Sequence, residues 1–168
     1  MKQRLDYSRA SPKCLEAMQT LERHVLQSGL DHRLLELVKT RASQINGCTY
    51  CLDMHTKDAR AGGETEQRLY ALSAWRETPF FDERERAALA WTESVTLVRQ
   101  SRIPDDVYES ARKQFSEHEL VDLTLAWWRS TGGTGSPSHF VKSRAPISRR
   151  DPGLRRRTEP CFPPREEV

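Results

Sequence analysis

Apolar residues recur three and four positions apart through the first 126 residues of the chain, segment after segment, with no convincing alternating run of strand type. This pattern restricts the fold more than any other feature. Each segment has one apolar stripe to bury, and only other helices are available to cover it. Over 12–28, Leu15, Met18, Leu21 and Val25 form a first stripe that stops at Gly29, a usual helix terminator. Asp31 caps the next, with Leu34, Val38, Ala42 and Ile45 on one side. A segment over 48–61 ends at Gly62 and Gly63, and Thr65 opens a short helix to about Trp75. Asp82 and Glu85 stand in capping-box spacing before a helix lined by Ala88, Trp91, Val95 and Val98. A short helix follows Pro104, and Ser116 with Glu119 makes a second capping box ahead of Leu120, Leu123 and Leu125. The expected fold class is all-α.

A length of 168 residues suits one domain with its own core. No run of eighteen apolar residues is present, so no membrane span is expected. The opening MKQRLDYSRASPK lacks the apolar stretch of a signal peptide, which makes the cytoplasm the expected location. Thiols stay reduced there, and a close cysteine pair is more often catalytic or metal-binding than structural. Cys14 and Cys161 stand alone; Cys48 and Cys51 form the spaced pair.

The pair lies in NGCTYCLDMHT, residues 46–56, with His55 four positions beyond Cys51. On a helix, positions 48, 51 and 55 return to one face within about 60°. The preceding Asn-Gly is a turn signal that puts the cysteines at a helix N-terminus, where the dipole favours a thiolate. His55 could take or return a proton one turn away. Spacing alone leaves three readings open. One is a dithiol redox site; another is a set of buried core side chains. The third, a zinc site, would need a fourth ligand, and no second C-x-x-C or H-x-x-x-H is present.

The stretch ELVKTRASQINGCTYCLDMHTKDARAGGE resembles the AhpD-like alkylhydroperoxidase branch of the carboxymuconolactone decarboxylase superfamily. The family pattern is a glutamate, eleven residues, then C-x-x-C-x-x-x-H, and Glu36, Cys48, Cys51 and His55 occupy those positions. The resemblance runs through ERERAALAWTESVT and FSEHELVDLTLA and covers roughly residues 12–126. It implies an AhpD-like helical bundle. It also implies Cys51 as the thiol that attacks peroxide, Cys48 as its resolving partner, and Glu36 with His55 as proton relay. The dipole argument alone favours Cys48 as the more acidic thiol, so this order comes from the resemblance. Glu36 read alone is a solvated face residue. Some members carry a histidine just before the second cysteine; here the position is Tyr50.

The implied activity is reduction of organic or hydrogen peroxides by a dithiol cycle, with an external dithiol or lipoyl-type reductant and no metal, flavin or other cofactor. Family members usually form trimers or hexamers. Rival readings are an inactive relic or non-catalytic binding module of the same fold, and a general disulfide reductase.

Residues 127–168 differ in character from the rest. They hold 9 Lys and Arg against 4 Asp and Glu, where residues 1–126 hold 18 against 20. Six of the nine prolines lie there too. The expected domain is therefore residues 1–126, and 127–168 is expected to be a basic, proline-rich, disordered tail. After Ala126 the family pattern continues V-V-A-I-N-G-W-N-R, and codons for WWRSTGGTG can be chosen so that the neighbouring frame spells it. We read the tail as out-of-frame translation that replaces the last family helix. On that reading its arginines carry no nucleic-acid function.

Overall fold

Four helix starts are capped by the polar side chain that the sequence marks there. Asp31 accepts from the amide of Arg33, and Thr65 from that of Arg68. Asp82 and Glu85 complete a reciprocal capping box. Ser116 and Glu119 do the same: the Ser116 amide donates to Glu119, and the Glu119 amide to the Ser116 hydroxyl.

The computed structural model describes residues 6–132. The helices are α1 (Tyr7–Ala10), α2 (Pro12–Leu26), α3 (His32–Asn46), α4 (Thr49–Ala61), α5 (Glu66–Ala71), α6 (Glu83–Thr96), α7 (Asp105–Gln114) and α8 (Glu117–Gly132). A 3₁₀ turn, Leu72–Glu77, extends α5. Among the described residues there is no strand, so the chain is all-α as expected. No described helix is long and apolar enough to cross a membrane.

Helix α3 is the axis of the bundle, packed by α4, α6 and α8. Seven successive residues, Leu34 to Thr40, are buried, so this helix has no solvated face over that stretch. Leu34, Leu35 and Val38 meet Ala88, Trp91 and Val95 of α6 and Leu120 and Leu123 of α8 in the main core. Leu37 turns to a second cluster with Leu72, Trp75, Phe81 and Leu89. Glu36 and Lys39 are buried because they sit on an encircled helix, which the stripe pattern alone does not reveal.

Two expectations about helix ends change. Val98 was expected on the inner face of α6, but that helix ends at Thr96, and Val98 is 53 % exposed. Helix α8 runs six residues past the expected boundary at Ala126, to Gly132. The physical reason is that Trp127 continues the stripe of Leu120 and Leu123 at i+7 and i+4. Its ring packs on the main core, and its indole N–H donates to the Thr96 hydroxyl at 2.7 Å. The expected disorder of the remainder, its arginine run and Cys161 lie outside the described residues.

Glu93 ties α3, the 3₁₀ turn and α6 together. Its carboxylate accepts from Arg41 (2.8 Å), from the buried indole N–H of Trp75 (2.9 Å) and from Arg76. Burial pushes this carboxyl up, but the bonds from Trp75, Arg76 and Arg41 outweigh it and hold it below the usual carboxylate range. A folded value below the unfolded one contributes stability above the ordinary carboxylate pKa of about 4.3, and that stability is lost as pH falls through the folded value. The urea midpoint is therefore expected to drop once pH goes below about 4. In Glu93→Gln the drop should be shallower; an equal slope in both proteins would assign the acid sensitivity elsewhere.

Candidate active site

Helix α3 ends and α4 begins within two residues, and that junction carries the cysteines. Gly47 closes α3 in the left-handed region (φ 63°), where a side chain is strained. Its amide donates to the Gln44 carbonyl, and the Cys48 amide to the Ser43 carbonyl. The chain can then turn back at once, so α4 lies against α3. Cys48 is the N-cap of α4, its sulfur accepting from the Cys51 amide at 3.3 Å. The two cysteines are joined as a disulfide, with Cα atoms 5.4 Å apart. Cys48 is half-buried and Cys51 buried.

One turn beyond Cys51 on α4, His55 is buried and its Nδ1 lies 2.9 Å from Glu36 Oε2 on α3. Burial pushes the Glu36 carboxyl up, but the hydrogen bond from His55 and the charges of Lys39 and His55 outweigh it. Glu36 is held below the usual carboxylate range. A carboxylate can only accept, so His55 Nδ1–H donates, and when the ring is deprotonated its lone pair is on Nε2. Of the four residues expected from the sequence, Cys48 and Cys51 are joined at the start of α4, and Glu36 of α3 is paired with His55 of α4.

The sequence reading missed Lys39, one turn from Glu36. It is buried, and its ammonium lies 3.2 Å from Glu36 Oε1 and 3.3 Å from Glu22 Oε1 of α2. The Glu-x-x-Lys spacing was a readable signal for the first contact. Nothing local could have signalled the second, across 17 residues. Tyr50, where some relatives have a histidine, is 40 % exposed. Glu36, His55 and the exposed Asp58 bring one potential metal-ligand atom each within 4.8 Å, but Lys39 already shares the charge of Glu36 there.

The site is thus a C-x-x-C at a helix N-terminus with a buried carboxylate–imidazole pair one turn further on, set in an all-α frame. The model of the carboxymuconolactone decarboxylase family matches residues 12–94. The chain is 44 % identical over 125 residues to the uncharacterised protein YdfG of Bacillus subtilis strain 168, covering 74 % of this chain and 85 % of that one. It is 28 % identical over 98 residues to the uncharacterised YnjA of Escherichia coli K12, covering 58 % of this chain and 53 % of that one. A crystal structure from Agrobacterium tumefaciens superposes with a TM-score of 0.79 at 41 % identity, covering 87 % of this chain and 99 % of that one. That protein, ATU0492, is described as of unknown function and suggested to be the antioxidant defence protein AhpD. The chain belongs to the carboxymuconolactone decarboxylase family, as an AhpD-like member.

Proposed function

We propose that this protein is a thiol-dependent peroxidase that reduces organic hydroperoxides through Cys51 and Cys48. The observation that carries the reading is the buried Glu36–His55 pair one helical turn from Cys51. A merely structural disulfide has no use for an ionised carboxylate held in the interior to orient an imidazole, since burying it costs stability. The suggested antioxidant role of ATU0492 agrees with it.

In the reaction, His55 Nε2 takes the proton of the Cys51 thiol, and Glu36 stabilises the resulting imidazolium through Nδ1–H. The thiolate attacks the terminal peroxide oxygen; an S–O bond forms, the O–O bond breaks, and the alkoxide leaves with the proton from His55 as alcohol. Cys51 is now a sulfenic acid. Cys48 attacks its sulfur, water departs, and the disulfide closes. An external dithiol, such as a lipoyl-type compound, returns both thiols by exchange and is itself oxidised. A family-type trimeric or hexameric assembly, which the replaced last family helix puts at risk, and a cytoplasmic location belong to the same proposal.

The test is a single-turnover trap. Reduced protein receives one equivalent of an organic hydroperoxide, remaining thiols are alkylated, and peptides are mapped by mass. Closure of the Cys48–Cys51 bridge within seconds is the expected result. Two alkylated cysteines after minutes would refute the peroxidase reading and leave a non-catalytic fold. Rapid reduction of a protein disulfide by the same sample would then favour a disulfide reductase.

A further inference from the structure

The relay reading uses Glu36 and His55 but gives no task to Lys39, a buried ammonium 3.2 Å from the relay carboxylate. An unpaired cation in the interior is costly, and Lys is rarely buried without partners. Here it has two. Glu36 Oε1 lies on one side, and on the other Glu22, from a different helix and partly open to solvent. The two oxygens of Glu36 are thus divided: Oε1 faces Lys39 and Oε2 faces His55.

We propose that Lys39, shared between Glu36 and Glu22, is a positioning residue of the dithiol site: its ammonium keeps the Glu36 carboxylate turned so that Oε2 accepts from His55 Nδ1–H. The inference rests on the relay reading and extends it to a second element, since Glu22 lies on α2 and the relay on α3 and α4. Without the lock, a buried carboxyl tends to take a proton. A protonated Glu36 can donate to Nδ1 instead of accepting, which moves the ring's proton to Nε2 and removes the lone pair that would serve Cys51.

The charged groups that bear on Glu36 are Lys39 on its own helix, Glu22 from α2, and His55 and Asp58 from α4. From α6, Glu93 is engaged by Arg41 and Arg76. Among the described residues, Lys39 is the permanent cation within hydrogen-bond reach of this carboxylate. Glu22 competes for it.

Two substitutions therefore have opposite signs. In Lys39→Gln the midpoint of Glu36 titration should rise by about one pH unit or more. In Glu22→Gln it should fall, because a neighbouring anion is removed and Lys39 is left to Glu36 alone. Lys39→Arg should restore the value of the unaltered protein. The measurement is ¹³C NMR of the glutamate carboxyls in the reduced full chain, with Glu36 assigned by its absence in Glu36→Gln. The pH profile of Cys51 alkylation should also move up in Lys39→Gln, because a permanent cation beside the relay is lost, whereas a purely structural role would lower the rate at every pH without moving the profile. A Glu36 midpoint unmoved in Lys39→Gln overturns the proposal. If that variant fails to fold, a midpoint that rises or stays put in Glu22→Gln overturns it equally. Both readouts are made without peroxide, so failure of the lock and failure of the peroxidase reading are separately visible.

Discussion

Cys51→Ser is expected to abolish peroxide turnover, with a fall on the order of 10⁶-fold, the scale seen when an enzyme's nucleophile is removed. Cys48→Ser should behave differently: one equivalent of peroxide is consumed, and the cycle stops with Cys51 held as a sulfenic acid that a trapping reagent can label. The pair of variants decides a question on which two physical arguments disagree. As the N-cap residue, Cys48 has its sulfur on the Cys51 amide in the first turn of α4, where the dipole favours a thiolate. Cys51 is one turn inside and stands four residues before His55, on the face that carries the base. We weigh the base above the dipole, because the dipole contributes only about 0.3–1 kcal/mol at an exposed terminus. A sulfenic acid found on Cys48 in Cys51→Ser, with none on Cys51 in Cys48→Ser, would reverse the two roles.

How much of this was legible depended on whether the signal was local. Caps were, because Asp31, Thr65, Asp82 and Ser116 bond to amides two or three residues away. The cysteine pair and His55 were legible for the same reason, since one turn of helix brings them together. Glu36 was not readable from its surroundings: it lies 19 residues from His55 and looks like a surface glutamate. The family motif singled it out, and the geometry then explained it, because α3 is buried on every side from Leu34 to Thr40. Lys39 and Glu22 escaped both routes. Trp127 escaped because an expected change of character after Ala126 hid that its side chain fits the stripe of α8. Its partner, Thr96, lies 31 residues back on α6.

The largest stability effect is expected from Trp91→Ala, a loss of about 3–5 kcal/mol, against a typical total of about 5–15 kcal/mol for a whole domain. Trp91 is 8 % exposed in the main core, and its indole N–H donates to the Thr124 hydroxyl of α8 at 3.0 Å. Its ring also meets Tyr108 of α7, with centroids 6.2 Å apart. Removing it leaves a cavity where three helices join and deprives Thr124 of its donor; that hydroxyl still donates to the Leu120 carbonyl. Trp91→Phe should recover most of the packing, and Thr124→Val should cost only about 1 kcal/mol, the usual net worth of one hydrogen bond. Urea midpoints at unchanged m-value measure all three. The relay residues lie on α3 and α4, so the folded fraction of Trp91→Phe should close its Cys48–Cys51 bridge at the rate of the unaltered protein. A slower closure at equal folded fraction would mean that α6 does more than hold α3 in place. A loss under about 1 kcal/mol in Trp91→Ala would mean that the α6–α8 contact is not what keeps the bundle closed.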